Sequence, residues 1–213
     1  MQRLPIWAAA VFLSVINLAC VKPEGATHTI SGKELFRSCD ACHGKNGDGK
    51  AELAAPAIAG LPAWYVEAQL VKFRTGVRGG HPDDIEGLRM RPMSRTLMNE
   101  GEVKSVAEYV STLPKHKPVA TLAGGDAAKG KDAYVVCQAC HGDKGQGNEA
   151  LKAPPIHAQA DWYLVSQLKK FKSGVRGANP NDVTGLQMRP MSLTLADEQA
   201  MKNVVAHVAT LNP

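Results

Sequence analysis

The chain has 213 residues, enough for one large domain or two smaller ones, each with a modest core. Its formal charge of +5 is spread thinly: residues 28–113 carry 11 Lys and Arg against 11 Asp and Glu, and residues 126–213 carry 10 against 8. No basic cluster is interleaved with aromatic residues, which excludes a nucleic-acid-binding surface, and aromatic residues at 5% are thin for two all-protein cores, leaving room for a bulky apolar group in each.

The N-terminus carries Arg3 and then a 14-residue, mostly apolar run from Ile6 to Ala19. That is short for a spanning helix and right for the apolar region of a secretory signal, so residues 1–20 are read as a signal peptide and export is expected. The run ends in "NLAC", and Cys20 resembles the lipidated cysteine of bacterial lipoproteins, although Asn17 and Leu18 depart from that pattern. Lipidation would tether the protein to a membrane. The alternative is an ordinary signal in which Cys20 is discarded.

The rest of the chain is one unit written twice. A shift of 98 residues lays "WYVEAQLVKFRTGVRG" on "WYLVSQLKKFKSGVRG" without a gap, and 38 of the 79 positions from Leu35 to Leu113 are identical to their partners. A period this long means duplicated domains rather than a solenoid. The division is residues 27–114, a Pro- and Gly-containing connector 115–125, and residues 126–213.

Each unit reads as helical. "SGKELFRSC" opens with Ser31 and Glu34 in capping-box spacing, and "GDAAKGKDAYVVC" supplies the equivalent helix. The middle segment puts Tyr65, Gln69, Leu70 and Phe73 on one face and stops at Gly76. The last helix starts near Asn99 or Asp197 and carries a stripe of Val103, Val106, Ala107 and Val110, or Met201, Val204, Val205 and Val208. The expectation is an all-α protein with about three helices per unit, joined by long loops that need something to wrap around.

"CDACHG" and "CQACHG" say what that is. Zinc would bring two C-x-x-C pairs within about 15–20 residues of each other, and a dithiol redox site expects a βαβ setting. Here 94 residues separate the pairs, and the surroundings are helical. C-x-x-C-H is the attachment signature of c-type haem. On a helical turn Cys39, Cys42 and His43, like Cys137, Cys140 and His141, stand at i, i+3 and i+4 and face one way. Two thioethers and an imidazole ligand from one side follow, hence two covalent haem c groups.

A second axial ligand can be His, Met or nothing. His28, His81, His116, His157 and His207 have no histidine 98 residues away, so none is shared. Met90 corresponds to Met188 and Met93 to Met191, within the repeated "MRPM".

With the haem motif, the "P-x-I-x-G" loop at Pro56–Gly60, the helix "WYVEAQLVKF" and the "M-x-P-M-x-x-x-L" segment in order, each half resembles a class I cytochrome c domain, and the pair resembles the tandem dihaem cytochromes of the c4 type. The resemblance implies axial Met90 and Met188, each seven residues before a leucine (Leu97, Leu195). It implies Pro56 and Pro154 as carbonyls that orient the ligand imidazoles, with Pro155 an open alternative because the second copy reads "PPIHAQ". It implies that Trp64, Tyr65, Arg78, Trp162, Tyr163 and Arg176 line the haems and their propionates, and it makes Arg91 and Arg189 solvated or propionate-facing.

The implied function is a dihaem carrier of single electrons in a periplasmic respiratory chain, between a redox-protein donor and an acceptor such as a terminal oxidase. The alternatives are a dihaem enzyme of peroxidase or thiosulfate-oxidising type, which needs one unlike iron site, and a subunit of a larger dehydrogenase or oxidase complex.

Overall fold

The computed structural model describes residues 30–115 and 119–212; the expected signal segment with Cys20, and the middle of the connector, lie outside the described residues. The first half contributes α1 (Gly32–His43), α2 (Ala63–Thr75), α3 (Ile85–Ser94) and α4 (Glu100–Thr112). The second contributes α5 (Ala127–His141), α6 (Asp161–Ser173), α7 (Val183–Leu193) and α8 (Glu198–Thr210). Among the described residues, β pairing is limited to the isolated bridges Lys50–Ala55 and Asn148–Ala153, so the chain is all-α.

Local signals start and stop the helices. Ser31 and Glu34 form a reciprocal capping box at α1, Asp126 accepts from the Ala128 and Lys129 amides at α5, and Asn99 and Asp197 cap α4 and α8. α2 and α6 end at Gly76 and Gly174 in the left-handed region, φ 79° and 82°. The expectation of three helices per half is one too few, because the "MRPM" segment is itself helical. The Asp84 and Asp182 carboxylates cap it by accepting from the Gly87 and Gly185 amides. Pro92 and Pro190 stand near the C-terminal ends, where each removes one helical hydrogen bond and helps end the helix.

In each half the last helix is the floor on which the first and second pack: α1 and α2 on α4, α5 and α6 on α8. The first and last helices approach so closely at Gly32 and Gly130 that a Cβ there would strike the Ser105 or Asn203 carbonyl. Phe36, Leu61, Val66, Leu70 and Leu97 close over Val103, Val106, Ala107 and Val110 in one core; Tyr134, Val165 and Leu195 close over Met201, Val204, Val205 and Val208 in the other. Each of the Val, Leu, Met and Phe side chains among them contributes about 1.5–3 kcal/mol by leaving water. The stripes foreseen on the last helices are the buried residues of α4 and α8.

The halves meet through α2 with the segment after it and α6 with the segment after it. Four of the contacts obey the 98-residue exchange: Lys72 reaches Asp182 while Lys170 reaches Asp84, and Arg78 reaches Gln167 while Arg176 reaches Gln69; Gln159, whose counterpart is Leu61, donates to the Ala57 carbonyl outside that exchange.

Candidate haem sites

Each attachment motif occupies the last turn of its helix. Cys39 and Cys137 are half-buried against the core clusters, while Cys42 and Cys140 are exposed. Burial raises the Cys39 thiol and pushes the Cys137 thiol up to about 11, so both inner sulfurs sit where an uncharged sulfur, such as a thioether, is favoured.

The chain leaves α1 at Gly44 and folds back on itself. The Gly49 amide donates to the His43 carbonyl at 2.7 Å, and the Ile58 amide to the Gly47 carbonyl at 2.8 Å. Gly49 has φ 83°, and a Cβ on it would lie 2.6 Å from the Ala57 nitrogen, so only glycine lets the loop close this tightly. Closure carries the Pro56 carbonyl to 2.8 Å from His43 Nδ1, and the Pro154 carbonyl to 2.8 Å from His141 Nδ1. A carbonyl can only accept, so Nδ1 carries the proton and Nε2 keeps a free lone pair. Burial also lowers the pKa of both imidazoles, against the raising effect of these bonds, which favours neutral rings. In the second copy the carbonyl is that of Pro154 and not Pro155.

Among the described residues no three His, Cys, Asp or Glu side chains converge to hold a metal ion by themselves. An iron here would need one imidazole from this side together with a porphyrin that the cysteines would hold.

The methionines divide. Met90 is half-buried and packs on the first core; Met93 is 40% exposed. Met188 is likewise half-buried, and Met191 is 37% exposed.

The two arginines lie at the junction of the halves. Arg78 donates through Nη1 to Gln69 Oε1 at 2.9 Å and through Nη2 to the Tyr163 hydroxyl and Gln167 Oε1, both at 3.0 Å. Arg176 donates to Gln167 Oε1 at 2.7 Å and to Gln69 Oε1 at 3.1 Å. Each guanidinium also stacks 4.5 Å over a phenylalanine of its own half, Phe73 or Phe171. Trp64 and Tyr65, like Trp162 and Tyr163, meet edge to face at 5.8 Å, and Lys152 crosses from the second half to 5.4 Å over the Trp64 ring.

Buried Nε atoms of Arg78, Arg91, Arg176 and Arg189 have no hydrogen-bond partner within the protein. Buried cationic donors without an acceptor are costly, and an anionic group supplies what they lack. Exposed apolar side chains also recur in repeat register: Leu53 with Leu151, Ile85 with Val183, Leu88 with Leu186, Met93 with Met191. An amphiphilic group with a flat apolar body and a carboxylate edge satisfies both features, and haem is such a group. The residues present fit it.

Reading the sequence alone passed over the junction. Gln69 and Gln167 join the arginines, and Lys72, Lys170, Asp84 and Asp182 bridge the halves. A signal existed: all three polar pairs are identical at a spacing of 98, whereas exposed charged positions such as Lys45 and Asp143 have diverged.

The family model described as Cytochrome c matches residues 30–114 and again 127–212. The thiosulfate dehydrogenase electron acceptor of Stutzerimonas stutzeri is 32% identical over 166 residues, 73% of this chain and 72% of that protein. Cytochrome c4 of Azotobacter vinelandii is 27% identical over 199 residues, 87% and 89% of the two chains. The crystal structure of reduced cytochrome c4 from Pseudomonas stutzeri shares the fold with a TM-score of 0.68 at 24% identity, over 85% of this chain and 97% of that one. With both halves matched and the attachment cysteines present in each, this chain belongs to the cytochrome c family, as a tandem dihaem electron carrier of the c4 type with two covalent haem c groups.

Proposed function

We propose that the protein is a periplasmic carrier in which His43 with Met90, and His141 with Met188, would hold the irons of the two haems and leave no position for a substrate. On this reading it takes electrons singly from a dehydrogenase and passes them to an acceptor such as a terminal oxidase. Each domain, 27–114 and 126–213, builds a complete site. A bound haem supplies a one-electron iron couple. The chain's own residues do the rest. The Pro56 and Pro154 carbonyls hold the ligand imidazoles in one tautomer and orientation. The half-buried placement of Met90 and Met188, against the exposure of Met93 and Met191, favours the former as ligands. Arg78, Arg91, Arg176 and Arg189 would offer their unpaired donors to propionates, and Trp64, Tyr65, Trp162 and Tyr163 would line the haems.

The observation that carries the reading is the sameness of the two sites: one imidazole–carbonyl bond length, 2.8 Å, and one methionine disposition in both halves. A substrate-binding enzyme needs one iron unlike the other. The likeness to a protein named as the electron acceptor of thiosulfate dehydrogenase supports a thiosulfate-oxidising donor. Spectroscopy and redox titration of the purified holoprotein test the reading: two low-spin, one-electron centres are expected, reduced rapidly by thiosulfate dehydrogenase with thiosulfate. A high-spin haem that binds exogenous ligands overturns it in favour of an enzyme.

Attachment to the membrane through a lipidated Cys20 belongs to the same proposal. Acyl chains bind by about 0.8 kcal/mol per buried CH₂, so two or more hold firmly. Cys20→Ser is expected to release the protein to the soluble fraction with haem content unchanged; unaltered fractionation refutes the tether.

A further inference from the structure

α4 and α8 are capped by exposed side chains, Asn99 and Asp197. The methionine helices α3 and α7 are capped differently. Asp84 and Asp182 are 2% and 1% exposed, and each meets a lysine from the other domain. Lys170 Nζ lies 2.5 Å from Asp84 Oδ1 and 2.5 Å from Glu86 Oε2. Lys72 Nζ lies 2.5 Å from Asp182 Oδ1 and 2.5 Å from the Thr184 hydroxyl. The same Oδ1 atoms accept the cap bonds from Gly87 and Gly185 at 3.2 and 3.0 Å. The fit depends on those glycines, since a Cβ on either would strike the aspartate. The lysine backbones serve the junction as well: the Lys72 carbonyl accepts from the Arg78 amide at 3.0 Å and the Lys170 carbonyl from the Arg176 amide at 2.9 Å.

A cap alone does not need a buried carboxylate, and a carboxylate buried this deeply requires its cation. Each lysine therefore holds the first turn of the other domain's methionine helix. Met90 and Met188 stand six residues beyond the cap, about 9 Å along a stiff helix, so a change at the cap is carried to the methionine.

We propose that Lys170–Asp84 and Lys72–Asp182 form a reciprocal clamp in which a lysine of each domain sets the position and electrostatic surroundings of the other domain's methionine helix, and with them that domain's haem potential. Lys72, Lys170, Asp84 and Asp182 are positioning residues. The inference rests on Met90 and Met188 as axial ligands.

The test is a double-mutant cycle on the holoprotein, Lys170→Met with Asp84→Asn, in which the asparagine amide keeps the helix cap. Each haem potential is read by spectroelectrochemical titration, the two haems being assigned through Met90→His and Met188→His. Lys170→Met leaves Asp84, and beside it Glu86, without their lysine, so the potential of the first-domain haem is expected to fall while that of the second-domain haem holds, although the substitution is in the second domain. Asp84→Asn should raise the first-domain potential and abolish most of the effect of Lys170→Met. Lys72→Met should give the mirror image, and Lys170→Arg should restore parental values. Equal shifts at both haems, a shift confined to the lysine's own domain, or simple additivity in the cycle overturns the clamp. Should Lys170→Met not accumulate as holoprotein, Asp84→Asn alone decides, by a rise or no rise at the first-domain haem. Met90→His and Met188→His variants with parental potentials would instead overturn the ligand assignment, and this inference with it.

Discussion

The two domains show which differences this architecture tolerates. Phe36 packs on Tyr109 in the first, and at the same two places Tyr134 packs on His207 in the second. Both identities have changed, yet the ring centroids are 5.4 and 5.3 Å apart and both interplanar angles are 58°. The core preserves shape rather than residues, as close packing requires. Around it the surface has drifted: Arg37, Lys45, Lys50, Arg89 and Arg95 in the first domain face Val135, Asp143, Asn148, Gln187 and Leu193 in the second. The paired polar contacts of the junction have not drifted. Gln69, Lys72, Arg78 and Asp84 recur unchanged as Gln167, Lys170, Arg176 and Asp182, because each must satisfy its counterpart in the other copy. The one difference at the clamp is Glu86 against Thr184 beside the lysine. It adds a carboxylate to the first domain only.

The sharpest way to break the likeness of the domains is to remove one cofactor. Cys137→Ser with Cys140→Ser should halve the haem content in a pyridine haemochrome assay and leave α1 to α4 folded around the remaining group. Loss of both haems would show that the domains do not mature independently.

Next in size is ligand replacement. Met90→His is expected to lower one of the two haem potentials by a sizeable part of the roughly 0.8 V that axial ligands span, leaving the other close to its parental value. If Met93→His has that effect and Met90→His has none, the order of the two methionines is reversed.

A smaller effect tests whether the helix crossings are equivalent. Gly32→Ala and Gly130→Ala each push a methyl into a carbonyl of the last helix, Ser105 or Asn203. Each should cost about 1–3 kcal/mol in denaturant unfolding followed at its own domain, as overpacking generally does. Unequal costs would show that one crossing can open where the other cannot.

The smallest effect expected concerns pH. Burial by itself raises the Asp84 carboxyl, but the Lys170 ammonium, aided by Arg78 and the Gly87 amide, outweighs it and holds the group below the usual carboxylate range. A depressed carboxyl contributes stability that is present above its unfolded pKa of about 4 and is lost as pH falls through the folded value. The domains should therefore stay docked from neutrality to about pH 4 and loosen below it, which small-angle scattering across that range would register. Docking that weakens already near neutrality would rule out this carboxylate as the cause.

Much of this was legible in the residues themselves. The duplication, the attachment turns ending in His43 and His141, the capping box at Ser31 and the valine stripes of α4 and α8 are set by spacings of three and four residues, or by a repeat of fixed length. Such spacings act through local backbone geometry, so they need no knowledge of the rest of the fold. Helix α3 was harder to foresee, because Pro92 argues against a helix and the cap that compensates, Asp84, is stabilised from another domain.

What only the tertiary structure decided lies at longer range. Which proline orients His141 depended on how a loop with glycines at 145 and 147 closes, and the answer is Pro154. The meeting of Lys72 with Asp182 and of Lys170 with Asp84 joins residues 110 and 86 positions apart. Neither propensity nor periodicity carries information across such distances. It is the packing of one copy against the other that brings four ordinary surface-type residues, two lysines and two aspartates, into a buried arrangement where each completes a helix of its neighbour.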